Sequence, residues 1–287
     1  MVANLIRVLT TRSSGTRPLT WGRMTQPDVR RVLDDLVDGA REALGDRLVG
    51  AYLVGSFALG SADEWSDVDF VVVTDGRVEG DGLDALRALH RRLPDGGGWA
   101  SHLEGSYADL ADLRSPMTLG RRWWYVDNGS RELEQSAHDN TAHTRWLLRE
   151  RGVVLTGPPP RDLVAEMGAP ALRAEALGIA RARAEQLEGD PSWYDDAWFQ
   201  PACVLTSCRI VHTATHAEVT GKTAAAHWAL EHLDPVHRPV IEAALADRAH
   251  PWDRVHRQAD PALVAPTRAL VWDVVRLAGQ AALDARD

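Results

Sequence analysis

Two short apolar runs of strand length, LVGAYLVG at 48–55 and DVDFVVVT at 67–74, flank the small-residue segment GSFALGSADEWS, and the second run opens on two carboxylates, Asp67 and Asp69. Its Val-rich end predicts a strand. Residues two apart on a strand share a face, so the two carboxylates point the same way. Like charges this close, at the start of an apolar segment, are costly unless positive charge sits between them. A pair of Mg²⁺ ions meets that need, because Mg²⁺ takes a few carboxylates together with phosphate oxygens and retained water. Upstream, Gly55 and Ser56 end the first run in a tight turn. There, backbone N–H groups and a hydroxyl can face phosphate oxygens with no Cβ in the way. Eleven residues lead from Ser56 to Asp67, enough for the chain to fold back and bring the turn and the carboxylates to one edge.

Around this unit the pattern is helical first. Val29, Val32, Leu33, Leu36, Val37, Ala40 and Leu44 recur at three and four and predict an amphipathic helix from Pro27 to about Asp46. A second helix is expected at 82–93, a Gly-rich turn at 96–98 and a third strand at about 99–107. The order helix, strand, turn, strand, helix, strand predicts a small mixed sheet with helices on one side. Past about Asn128 the strand signal almost vanishes, and helical stretches are expected at 130–151, 170–188, 196–219, 222–233, 236–248 and 261–284. GVVLTGPPP at 152–160 has the punctuation of a linker or crossover. The expected class is α+β. A sheet-containing domain at 24–150 precedes an all-α helical bundle at 151–287, with a soft boundary between 125 and 160.

Composition narrows the function. A chain of 287 residues with 45% apolar and 25% charged side chains has the makeup of a folded protein rather than a disordered one. No run approaches the roughly 20 apolar residues of a membrane span. The net charge of −9 argues against general nucleic-acid binding and favours cationic partners. Residues 1–23 hold Arg7, Arg12, Arg17 and Arg23 with no acid, so the rest is more acidic still. This stretch reads as a flexible extension rather than a signal peptide, because Arg7 splits its apolar residues, and a start at Met24 is the alternative hypothesis. Among 32 Lys and Arg residues there is one lysine, Lys222. Cys203 and Cys208, five apart on a predicted helix, fall on different faces and suit neither a zinc knuckle nor a disulfide. They read as buried thiols in a reducing cytosol. His212 and His216 have the i, i+4 spacing of a zinc pair, but no third ligand is evident and they read as ordinary helix histidines. No Walker A or GxSxG sequence occurs, which removes the P-loop and serine-hydrolase readings.

The full segment GSFALGSADEWSDVDFVVV, with Gly-Ser, a Gly five residues after the first, and then Asp-x-Asp, resembles the signature of the DNA polymerase β-like nucleotidyltransferase superfamily. The resemblance implies that Asp67 and Asp69 bind the metal ions carrying a nucleoside triphosphate. It also asks for a third carboxylate from a neighbouring strand. Glu104, in ASHLEGSY, is the acid in the middle of the third predicted strand, whereas Asp109 and Asp112 fall in a loop or helix start. Glu104 can complete the metal site or act as general base, the role the superfamily assigns to the matching carboxylate.

RWLLRERGVVLTGPPP and VLTSCRIVHTATHAEVTGKTAAAHWALEHL resemble the helical C-terminal domain of aminoglycoside adenylyltransferases of the streptomycin and spectinomycin type. With the first motif, the likeness covers most of residues 27–250. TSCRI, with TGK thirteen residues after its arginine, implies that Arg209 and Lys222 reach across an interdomain cleft to ATP. An arginine cannot reproduce a compact ammonium among phosphate oxygens, which agrees with a lone lysine at this place. On the acceptor side, EGDPSWYDDAWFQPA supplies Trp193, Asp195, Asp196 and Trp198, and Trp123 and Trp124 lie near where the family places another tryptophan. Aromatic faces and carboxylates suit a polycationic sugar, but DPSWYDD is equally an acidic turn and helix cap, and core packing suits at least one of the Trp123–Trp124 pair. The aromatic residue that the family places after the TGK helix is missing from IEAALADRAHPW.

The resemblance thus implies Mg²⁺-dependent transfer of AMP from ATP to a hydroxyl of an aminoglycoside-like molecule, with pyrophosphate released, as in antibiotic resistance. It implies two Mg²⁺ ions held by Asp67, Asp69 and Glu104, and ATP held by Gly55, Ser56, Arg209 and Lys222. A cytoplasmic monomer without nucleic-acid or membrane partners is expected. The alternatives are a same-fold adenylyltransferase acting on a protein or another small molecule, and a non-catalytic nucleotide-binding regulatory protein.

Overall fold

The computed structural model describes residues 27–64, 66–248 and 257–284. The expectations for residues 1–23 and Met24 lie outside the described residues. The chain enters on α1 (Pro27–Leu44), with proline at the first helical position, and buries the expected stripe from Val29 to Leu44. Strand β1 (Leu48–Leu53), the single turn α2 (Gly55–Ala58), β2 (Val68–Thr74), α3 (Gly80–Arg92) and β3 (Leu103–Asp109) follow. Then come α4 (Leu110–Leu113), β4 (Trp123–Val126), β5 (Glu134–Ser136), α5 (Ala142–Arg151) and β6 (Val153–Thr156). These strands form one mixed sheet in the order β5-β4-β3-β2-β1-β6. Only β2 and β3 are parallel, and their register sets Asp69 opposite Glu104.

Both faces of this sheet are covered, which corrects the expectation of helices on one side. Ala51, Leu53, Phe70 and Val72 pack with Leu33 and Leu36 of α1 and Leu86 and Leu89 of α3. Tyr52, Val54, Val71 and Val73 pack instead with Ala142, Leu147 and Leu148 of α5 and with Leu163 and Val164. A central strand buried on both faces reads as an unbroken apolar run, and the FVVV of β2 is one. Three further expectations change. The third strand begins at Leu103, because residues 98–102 form a 3₁₀ turn after Gly97. The helix expected over 130–151 occupies only 142–151, with β5 before it. The GVVLTGPPP segment, expected as a linker or crossover, begins with a strand: Val153–Thr156 is β6, paired antiparallel with β1. The Tyr52 hydroxyl donates to the Pro158 carbonyl at 2.8 Å and fastens the proline-rich turn that follows. We therefore propose a boundary after β6 rather than at residue 150.

The second half is the expected bundle: α6 (Ala169–Gly189), α7 (Phe199–His216), α8 (Lys222–His232), α9 (Arg238–Asp247) and α10 (Pro261–Asp284). Helix α7 is its axis, packed against α6, α8, α9 and α10. Apolar and small side chains are therefore needed around most of α7, from Phe199 through Ala214. Cys203 and Cys208 are free and buried, as expected. No helix among the described residues is long and apolar enough to cross a membrane.

One buried pair of the sheet domain gives a stability test. His90 of α3 lies with its Nε2 2.8 Å from the Tyr107 hydroxyl and is pushed down to about 4 by burial. The unfolded chain takes up this proton near pH 6.5, and the native state does so only near pH 4. Native stability is thus complete above pH 6.5 and falls as pH drops through that window, by on the order of 3 kcal/mol. Melting curves across pH 4 to 7 should show the fall. The paired change His90→Leu with Tyr107→Phe, which removes both partners, should flatten this part of it.

Candidate active site

The alternation that buries Val71 and Val73 against α5 puts Asp67 and Asp69 on that same face, at the open end of β2. Glu104 joins them from β3 through the parallel register. The turn at Gly55 comes from the end of β1, where the backbone takes φ +61°. A Cβ at Gly55 would overlap the Asp69 carboxylate, so the glycine serves both the turn and the close approach. Gly55→Ala should therefore lower the melting temperature, with a cost of about 1–3 kcal/mol. Calorimetry checks it, and an unchanged midpoint would mean that the turn tolerates a side chain.

The helical half closes over this edge. Gly221, the residue before α8, stands so near Ser61 that a Cβ there would overlap the serine hydroxyl. Arg248, just after α9, pairs with Asp63 at 2.7 Å. The result is a cleft of about 490 Å³ lined by Gly55, Ser56, Asp67, Asp69, Glu104, Arg209 and Lys222. Those are all the catalytic, metal and ATP-site residues expected from the sequence, brought together from the sheet, α7 and α8. A second compartment of about 420 Å³ lies beside it and contains Asp127, Asn128, Trp198, Ala202 and Asp247. Asp67, Glu104, Lys222 and Arg248 line both and form the wall between them.

The electrostatics of that wall follow from crowding. Burial, then Glu104, push Asp67 up to about 6. Burial, then Glu104 and Asp67, push Asp69 up to about 8. Glu104 goes the other way: burial raises it, but hydrogen bonds with His138 and Tyr125 outweigh burial and hold it below the usual carboxylate range. The Tyr125 hydroxyl lies 2.8 Å from Glu104 and 2.9 Å from Asp127, and His138 Nε2 is 3.4 Å from Glu104. The Glu104 contact in turn lifts His138 to about 9. Asn128 donates to Asp67 from the far side. Facing these acids, Lys222 is lowered by burial and by Arg209 and Arg248. Cations on one bank and carboxylates on the other describe a site for a polyanion bridged to the acids by a metal ion.

The residues fit such a ligand. The Ser56 hydroxyl and Arg209 Nε are buried without a partner among the described residues, a donor on each bank. No three His, Cys, Asp or Glu side chains among the described residues are already set as a cage. Two neighbouring carboxylates with space for phosphate oxygens and water are the donor set that Mg²⁺ takes.

The acceptor-side expectations divide. Trp198 lines the second compartment. Asp196 instead accepts from the backbone N–H groups of Trp198 and Phe199 and caps the start of α7. Trp193 packs on Phe199 with ring centroids 4.9 Å apart. The Asp195 carbonyl is bonded to the Ala259 N–H. Neither compartment is lined by Trp193, Asp195 or Asp196. Trp123 is a core residue: it is buried, its indole N–H donates to Asp112 at 3.1 Å, and the Arg145 guanidinium lies over its ring. Sequence reasoning missed Tyr125, Asp127, Asn128, His138 and Arg248. Tyr125 lies on β4, and Asp127 and Asn128 directly follow it; that strand is too short for its alternation to mark them, and nothing local marks Arg248.

Comparison with known proteins matches each half of the chain to a domain model. The model of the nucleotidyltransferase domain matches residues 34–108, from α1 to Glu104 and the rest of β3. The model of the aminoglycoside adenylyltransferase C-terminal domain matches residues 178–271, which hold Arg209 and Lys222. Among solved structures, the chain is similar to the spectinomycin adenyltransferase of Enterococcus faecialis, crystallised with ATP and spectinomycin. The two share 14% identity at a TM-score of 0.63, over 87% of this chain and 98% of that one, a likeness of fold. No curated protein sequence matches the chain significantly. With the clustered carboxylates in its first domain and the cleft cations in its second, the chain joins a nucleotidyltransferase domain to a C-terminal domain of the aminoglycoside adenylyltransferase type.

Proposed function

We propose that this enzyme transfers AMP from ATP to a hydroxyl of a cationic, aminoglycoside-like small molecule and releases pyrophosphate. The observation that carries the reading is the shared wall. Asp67, Glu104, Lys222 and Arg248 stand between a compartment with a phosphate turn and a compartment with an aromatic face and acids. A group passed from one compartment to the other must cross at those residues.

In this scheme Gly55 and Ser56 receive the terminal phosphates, and the unpartnered Ser56 hydroxyl donates to one of their oxygens. Arg209 and Lys222 neutralise the triphosphate from the helical side. Asp67 and Asp69, with Glu104, would hold Mg²⁺, two ions in the full scheme. Bound there, Mg²⁺ supplies charge neutralisation in an in-line displacement and a lower pKa for the attacking hydroxyl. Glu104 takes the proton of that hydroxyl, a task suited to a carboxylate kept ionised by Tyr125 and His138. Trp198 offers a stacking face, and Asp127 and Asp247 offer negative charge to an ammonium-bearing acceptor.

The experiment is an ATP- and Mg²⁺-dependent screen over streptomycin, spectinomycin and other aminoglycosides, with a protein panel beside it. The expected result is pyrophosphate release together with an acceptor heavier by one AMP unit. Transfer confined to the protein panel would overturn the acceptor assignment. Binding of ATP with no turnover on any panel would overturn the catalytic one.

A further inference from the structure

The last turn of α7 carries nitrogen donors that the cleft does not use. His212 and His216, four apart, have ring centroids 4.6 Å from each other. Trp228 of α8 meets both rings nearly perpendicularly at 5.3 Å and stacks on His232 at 4.8 Å. Within this cluster His212 Nδ1, His216 Nε2 and Trp228 Nε1 are all buried without a hydrogen-bond partner. Buried polar atoms are nearly always paired, so three in one cluster call for an explanation. The indole N–H can only donate, whereas a neutral imidazole offers one lone pair to a proton or a metal. The backbone of Glu218 hydrogen-bonds His212. That contact is the kind of outer interaction that orients a ligating histidine.

The ring separation fits chelation. A metal about 2.1 Å from an imidazole nitrogen lies about 3.2 Å from the ring centroid. Two rings 4.6 Å apart then subtend about 90° at a shared ion, the angle between adjacent coordination positions. Burial holds both histidines below their ordinary range, His212 at about 4, so that both are neutral and able to bind. Among the described residues no third His, Cys, Asp or Glu closes a ligand cage. His232 is turned to the Trp228 carbonyl, with its Nδ1 2.8 Å from that oxygen. Water or a small anion would complete the coordination, with Trp228 Nε1 as a donor beside it.

We propose that His212 and His216 form a two-imidazole chelating site for a late first-row transition dication, with Trp228 as its wall. Among such ions the site favours Cu²⁺, as imidazole pairs without a fixed geometry do. Its donors are imidazoles, with the Glu218 carboxylate within electrostatic reach of His216, and it differs in chemistry from the all-carboxylate donor set of the cleft. It also lies one turn beyond Arg209, and it joins α7 to the helix that begins at Lys222. An ion there would tie together the two helices that supply these cleft cations.

The test is Cu²⁺ binding to the full chain in excess Mg²⁺, followed by electron paramagnetic resonance at one equivalent. Supporting results are a single tight equivalent and a spectrum with two nitrogen couplings. His212→Ala and His216→Ala should each weaken binding by at least about tenfold, while Asp69→Asn leaves it unchanged. Binding that survives both histidine changes, or disappears with Asp69→Asn, overturns the proposal. If an alanine variant fails to fold, His216→Gln and the wild-type spectrum decide instead. A spectrum with oxygen ligands alone, or no stoichiometric Cu²⁺, rejects the site.

Discussion

Asp69→Asn removes ATP-dependent pyrophosphate release by about three orders of magnitude or more while leaving the protein as stable as before, or more stable. Both halves of that expectation come from one fact. Asp69 is held on a crowded bank beside Asp67 and Glu104, and burial with those neighbours pushes it up to about 8. A group raised in the native state contributes stability that is complete below its unfolded value near 3.8 and lost as pH rises through about 8. Asparagine removes the charge and with it that dependence. In metal-free buffer the variant should therefore melt higher than the wild type at pH 8, with the gap closing toward pH 4. The same charge is what the proposed Mg²⁺ of a bound triphosphate would use, so activity should fall as stability rises, a trade-off common at active sites. Pyrophosphate release within tenfold of wild type would mean that the chemistry is elsewhere.

Lys222→Arg should cost about a hundredfold in turnover with little change in melting temperature. Lys222 lines both compartments, beside Arg248 and within the field of Arg209. Its ammonium is small enough to stand among phosphate oxygens between two guanidinium groups. A third guanidinium needs a flat, wider slot and adds bulk where the wall is shared. Both kcat and the KM for ATP should suffer, because the contact serves binding as well as transfer. Steady-state pyrophosphate release against ATP concentration separates the two. Full activity in the arginine variant would show that position 222 needs only positive charge.

What could be read in the sequence was whatever depends on local period. The face shared by Asp67 and Asp69, the stripe of α1 and the five helices of the second half all repeat at strand or helix spacing, and the structure has them. Gly55 and Ser56 were legible as a tight turn at the end of a strand, and Glu104 because the superfamily resemblance asks for a carboxylate on the neighbouring strand. Asp196 and Trp123 show the limit. An acid before a helix can cap it or meet a ligand, and only the bonds from Trp198 and Phe199 decide in favour of the cap. A tryptophan on a strand depends on which face the strand turns inward, and β4 and β5 are too short for their period to stand out. Arg248 owes its place to the packing of α9 on α7, a distant consequence that no window of sequence contains.

The short strand β6 has a consequence for how the two halves depend on each other. Gly55 and Ser56 stand at the end of β1, and β1 is an interior strand only because β6 lies along its outer side. A fragment ending at residue 150 would keep Asp67, Asp69 and Glu104 and yet leave β1 as an unprotected margin, with its amide and carbonyl groups open to any extended chain. Such a fragment would be prone to self-association before it could hold a nucleotide. The Gly55–Ser56 turn is thus guarded by four residues that the chain lays down only after α5, next to its passage into the helical half.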